Sequence, residues 1–263
     1  MMIKNIFYTL LTSVFLCVLA ACNKGKDDFI YKMDMVPVIV KGYNGSGEEL
    51  EIKIDTTKGR EALPTGIFYY LEPYTFPVNQ QTSMLRITER NTGKQVMERE
   101  IKKEAGPTTI NLFYMHGKAG DLPEKPEPES GKITVSYLFM PTLTNYTQPV
   151  DIVLGKYYFI PKVFEEITRI KNVKPYEFSK SVTISTFQVT GQQYNGQPTA
   201  VLFKAYIYKA GTNEFYTEGT GYTWHATSSS APTPLTPVMS STMYIFKESS
   251  LGNSIRFIKD FEL

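Results

Sequence analysis

The chain has 263 residues, with 28 lysines and arginines against 26 acidic residues and a formal charge of +2. So even a balance excludes the concentrated basic surface of nucleic-acid binders, and no nucleic-acid partner is expected. Two cysteines and two histidines leave no material for a disulfide framework or a thiolate metal site, so neither a metal nor a cofactor is expected.

The first 21 residues have the three parts of an export signal. Lys4 is their only charge, Ile6 to Leu19 is an apolar run broken by Tyr8, Thr9, Thr12 and Ser13, and the small pair Ala20-Ala21 precedes Cys22. The run is short of the roughly 20 apolar residues a stable span needs, and Lys24, Lys26, Asp27 and Asp28 follow at once. Cleavage between Ala21 and Cys22 is expected; an uncleaved signal anchor is the alternative.

Leu19-Ala20-Ala21-Cys22 resembles the lipobox of bacterial lipoproteins. The resemblance implies that the Cys22 thiol takes a diacylglycerol, and that two or three acyl chains then hold the protein on a membrane. Each buried methylene contributes about 0.8 kcal/mol, and one chain alone holds only marginally. Cys17 is no rival, since bulky Phe15 and Leu16 precede it. Lys26-Asp27-Asp28 resembles the signal that sends lipoproteins of Bacteroidota-type bacteria to the outer face of the outer membrane. An ordinary solvated tether over residues 22–34 explains the same residues.

From Met35 the pattern has period two. Val36, Val38 and Val40 alternate, as do Leu50, Ile52 and Ile54 with Glu51, Lys53 and Asp55, which fits strands with one dry face. Strands are also expected over 84–90 and 94–101, around Asn91-Thr92-Gly93 with its glycine suited to a left-handed turn, and at Ile110, Leu112 and Tyr114. Phe68-Tyr69-Tyr70, Tyr74 and Phe76, with prolines at 73 and 77, form either a loop platform or a strand buried on both faces. Residues 35–117 thus make a first sandwich. Residues 118–131, with Pro123, Pro126, Pro128, Glu124 and Glu127, read as a linker that cannot pair.

A second series over 132–263 begins with Ile133, Val135, Tyr137 and Phe139 on one face. Further strands are expected at 149–160, 180–189, 200–209, 214–224, 241–247 and 254–262. Pro161, Val163, Phe164, Ile167 and Ile170 have helical spacing, or else mark an irregular strand. Thr227 to Pro237 reads as a mobile loop. The expected fold is all-β: two tandem antiparallel β-sandwich domains of Ig-like or transthyretin-like type. The layout resembles the two-domain surface lipoproteins of Bacteroidota in architecture and N-terminus alone.

Catalytic signatures are missing. His116 and His225 have no metal-spaced companions and no serine elbow to serve. Glu165 and Glu166 are adjacent, not a hydrolytic pair. The most suggestive cluster is Tyr216, Tyr222, Trp224 and His225, whose rings can stack on sugar faces; a core aromatic strip, its register broken by Gly219 and Gly221, is the default reading of Tyr216, Tyr222 and Trp224. Asp55-Thr56-Thr57 resembles the Asp-Thr acceptor for O-glycosylation in Bacteroidota, and is also a plain strand exit. The expected function is non-enzymatic: a surface binding module, with a glycan or an outer-membrane protein beside an uptake system as partner. The alternative is a fimbria-type subunit or anchor assembling by strand addition, for which Arg60 offers a cleavage site. A lipid-anchored hydrolase has the least support.

Overall fold

The computed structural model describes residues 35–263, and they divide into two units at Gly120/Asp121. Cys22 and Lys26-Asp27-Asp28 lie outside the described residues. Among the described residues there is no α-helix; one short 3-10 turn at Lys103–Ala105 interrupts an otherwise all-β chain.

The first unit holds β1 (Met35–Asn44), β2 (Leu50–Ile54), β3 (Thr57–Lys58), β4 (Gly66–Thr75), β5 (Thr82–Glu89), β6 (Gln95–Lys102), β7 (Thr108–Met115) and β8 (Lys118–Gly120). One sheet runs β4-β1-β7-β8 and the other β3-β2-β5-β6. Val36, Val38 and Val40 of one sheet bury against Ile52, Leu85 and Ile87 of the other. Each such fully buried side chain contributes about 1.5–3 kcal/mol. Leu50, Ile52 and Ile54, the apolar positions of the alternation, are the buried residues of β2. Gly93 adopts φ 71° and its N–H donates to the Glu89 carbonyl at 2.9 Å, the left-handed turn foreseen for it.

The aromatic stretch is strand β4, and it is buried on one face only. Phe68, Tyr70 and Tyr74 point into the core, while Tyr69 points out. The linker also begins later than expected. Lys118–Gly120 pairs with β7 as β8, because His116 (φ 47°) and Gly117 (φ 78°) supply the two left-handed residues of a tight hairpin turn.

The second unit holds β9 (Lys132–Met140), β10 (Val150–Tyr158), β11 (Val163–Val173), β12 (Val182–Ser185), β13 (Gln192–Tyr194), β14 (Gln197–Thr199), β15 (Val201–Lys209), β16 (Ser240–Leu251) and β17 (Ser254–Glu262). Its sheets run β12-β9-β16-β17 and β11-β10-β15, with β13-β14 a separate hairpin. Ile133, Val135, Tyr137 and Phe139 share one core with Ile152, Leu154 and Ile207 of the facing sheet. Both units are therefore β-sandwiches, and they share a wiring plan. In each, the first strand pairs in parallel with the penultimate one, β1 with β7 and β9 with β16, a pairing that alternation alone did not reveal.

Residues 163–170 are strand, not helix. β10 and β11 slip register at Val150/Ile152 and at Leu154/Gly155. Each slip resets the alternation, and the result imitates a helical period. Gly155 makes room for this: a Cβ there would lie 2.3 Å from the Glu165 carbonyl oxygen and 2.6 Å from the Phe164 ring. Phe164 instead lies flat on Tyr206, ring centroids 4.0 Å apart.

Candidate functional site

The expected strand at 214–224 does not form. Gly219 (φ 88°) and Gly221 (φ 84°) coil it into turns, and its strand pairing is limited to isolated bridges: Tyr208 to Phe215 and Thr223 to Ser254. This segment seals one flank of the sandwich, where β15 and β17 are the outer strands of their sheets. Trp224 is the plug. It stacks on Phe215 (4.6 Å) and meets Tyr206 of one sheet (5.4 Å) and Phe257 of the other (5.9 Å). Its Nε1 is buried, so the polar edge a sugar would need is closed to solvent.

The proposed aromatic cluster is therefore divided by the fold. Tyr216 is fully buried, and its hydroxyl donates to Glu248 at 2.8 Å. Burial, reinforced by the Glu248 charge, pushes that phenol far above its ordinary value. Tyr222 packs partly against the core. His225 is exposed, and its Nδ1 accepts the Ser228 N–H at 3.2 Å, capping a turn. A core aromatic strip accounts for Tyr216, Tyr222 and Trp224 better than a sugar platform does.

The Thr227 to Pro237 segment is stitched in rather than free. Ser229 is buried and donates to the Ile255 carbonyl, Ser230 accepts the Ala205 N–H, and Ala231 bridges Ala205. In the first unit, the Asp55 carboxylate is also occupied. It accepts from Met84 N–H (2.8 Å), Gln80 (2.9 Å) and Tyr74 (3.1 Å). Burial pushes this carboxyl up, but those bonds and one from Ser83 outweigh it and hold it below its usual range. Thr56 and Thr57 beside it are exposed.

The opposite flank of the second sandwich is open. A cavity of about 600 Å³ lies between Arg169–Lys174, at the end of β11, and Glu177–Val182, leading into β12. Each wall is held by its own sheet. On one side, buried Asp151 of β10 accepts the Asn172 N–H at 2.9 Å and the Gly211 N–H at 3.0 Å, fixing Asn172 in its left-handed conformation (φ 55°). On the other, Ser179 N–H donates to the Tyr137 carbonyl, and Ser179 Oγ accepts the Tyr137 N–H at 3.0 Å.

The floor of the cavity is apolar, from Ile170, Val173 and Val182, and its rim is polar. Arg169 is engaged already, with Asp151, Glu166, Thr212 and Asn213, while its guanidinium lies 5.4 Å from the Tyr208 ring centre. Lys174 pairs loosely with Glu177 at 3.9 Å. Lys171 and Lys180 line the groove with no ion pair among the described residues. Nothing in the residue pattern points to this groove, because its two walls come from a disguised strand and an irregular connection, and its lysines resemble any solvated face.

The chain matches no protein-family model and no curated protein. Among solved structures it is similar to CBMbc, a family CBM26 module of Eubacterium rectale Amy13K in complex with maltoheptaose, with 9% identity and a TM-score of 0.20 over 85% of this chain and 97% of that one. It is also similar to a leucine-rich repeat protein of Bacteroides thetaiotaomicron, with 8% identity and a TM-score of 0.16 over 69% of this chain and 25% of that one. Likenesses of this depth carry no argument about ligands.

Proposed function

We propose that this chain is a non-enzymatic binding module, held on the outer membrane by lipid on Cys22 and facing the exterior, whose open flank in the C-terminal sandwich takes a glycan beside an uptake system. The observation that carries the reading is the contrast between the two flanks of that sandwich. Trp224 and its neighbours seal one, and the other keeps a cavity whose volume lies in the range of ligand sites. An apolar floor suits the C–H face of a sugar ring, and Asn172, Ser181, Lys171 and Lys180 supply a rim of hydrogen-bonding groups.

The test uses the chain from Asn23 onward against a polysaccharide panel, with Lys171→Ala/Lys180→Ala as the comparison. Binding that the double variant weakens at least tenfold supports the reading. Flat responses across the panel remove it. The anchor is tested separately: fatty-acid labelling and membrane fractionation should both be lost in Cys22→Ser.

Assembly by strand addition is the second reading, and one observation favours it: a ten-residue sheet edge in the first unit that is blunted only near one end, at Glu72 and Pro73.

A further inference from the structure

Unpaired sheet edges invite pairing with another chain, and folded proteins blunt them by shortness, charge, proline, bulges or cover. Nearly every outer strand described here is blunted in one of these ways. β3, β8 and β12 have two, three and four residues. β6 carries Glu98, Arg99 and Glu100. β11 is bulged against β10 and carries Glu165, Glu166, Arg169 and Lys171. The bridges from Phe215 and Ala231 cover β15, and the one from Thr223 holds β17 at Ser254.

β4 is the least protected, blunted only near one end by Glu72 and Pro73. It has ten residues and pairs only with β1. Its outward row, Ile67, Tyr69, Leu71, Pro73 and Thr75, bears no charge. Ile67, Tyr69 and Leu71 are 59%, 66% and 54% exposed, and Ile39 of β1, opposite Leu71, extends the apolar surface inward.

We infer that β4 pairs antiparallel with β4 of a second copy of this chain, joining two four-stranded sheets into one. The geometry favours self-pairing over an unrelated strand. Pro73 lacks an N–H and confines the added ladder to Gly66–Glu72, whose centre is Tyr69. A two-fold axis there sets Tyr69 against Tyr69 and Ile67 against Leu71, so apolar groups meet apolar groups and no like charges face each other. The exposed side chains with seven residues of backbone per copy bury on the order of 1,000 Å² in total, the size of a weak, reversible interface.

The chain from Asn23 onward retains all the described residues and neither native cysteine, so engineered thiols report cleanly. Sedimentation across a concentration range is expected to reveal a monomer–dimer equilibrium. Tyr69→Lys should weaken it at least tenfold without altering circular dichroism or melting, since that side chain stands largely in solvent. Under mild oxidation, Tyr69→Cys should form a self-disulfide far faster than Lys102→Cys on the β6 edge, and Ile67→Cys should crosslink preferentially to Leu71→Cys. A strictly monomeric chain, a dimer indifferent to Tyr69→Lys, or equal crosslinking at the two edges would each overturn the inference. Glycan binding at the groove of the second unit is scored in a separate assay and stands or falls independently.

Discussion

Glu248 offers the sharpest test of how the second sandwich is held together. It is 4% exposed, yet no cation meets its carboxylate in any described contact. Four donors do. Oε2 accepts the Leu143 and Thr144 N–H groups, both at 2.7 Å. Oε1 accepts the Thr144 hydroxyl at 2.6 Å and the Tyr216 hydroxyl at 2.8 Å. Glu248→Leu removes every acceptor. The two hydroxyls can rotate toward other partners, but the two backbone N–H groups cannot, and each buried donor left unsatisfied costs about 1–3 kcal/mol. A loss of about 3–5 kcal/mol follows, a large share of the 5–15 kcal/mol typical of a domain.

Glu248→Gln should cost much less, about 1–2 kcal/mol. Its carbonyl oxygen can face the two backbone donors while its amide turns to hydroxyls able to accept. Urea titration followed by Trp224 fluorescence is the assay, because the only tryptophan sits in this unit and reports it alone. A Leu variant that unfolds within about 1 kcal/mol of wild type, or a Gln variant as damaged as Leu, would show that the Glu248 carboxylate does not hold this unit together.

Two further outcomes are expected. Gly155→Ala should destabilise the same unit by about 1–3 kcal/mol, because its Cβ would meet the Glu165 carbonyl and the Phe164 ring; an unchanged urea midpoint would contradict that packing. At alkaline pH the buried phenols set a limit. Burial, then the Glu89 hydrogen bond, pushes Tyr114 up to about 12, and burial, then the Glu262 charge, does the same for Tyr244. Unfolded tyrosine ionises near about 10, so the stability these neutral groups contribute is complete below that pH and is lost as pH rises through about 12. Phenolate absorbance should therefore include a late cooperative step that coincides with loss of circular dichroism; smooth titration of every tyrosine near the ordinary value would rule this out.

Much of the fold could be read from strands with one wet face. Leu50, Ile52 and Ile54 alternate with charged residues, so period two is plain, and the turn at Gly93 is local chemistry. β11 was ambiguous because two register slips shift Val163, Phe164, Ile167 and Ile170 out of alternation. The 214–224 stretch looked like a strand because its aromatics share parity, but two left-handed glycines decide its path. The site was less legible still. Glu248 carries no local mark, since its donors, on the connection after β9 and at Tyr216, lie far away in sequence. The groove depends on Asp151 fixing Asn172 from a neighbouring strand, a relation that exists only after folding. β4 reads as either a loop platform or a strand, and its lightly protected edge is apparent only once every other outer strand is located.

The parallel pairings have a kinetic consequence. Val38 must find Thr108, and Ile133 must find Ser240, so the central strand of each sandwich waits for a partner made near the end of its unit. Closing such long loops precedes any gain from the contacts and slows folding. A chain emerging N-terminus first, from a ribosome or a translocation channel, cannot complete either core early. It stays threadable until almost a whole unit has passed, and then closes that unit in one late, cooperative event.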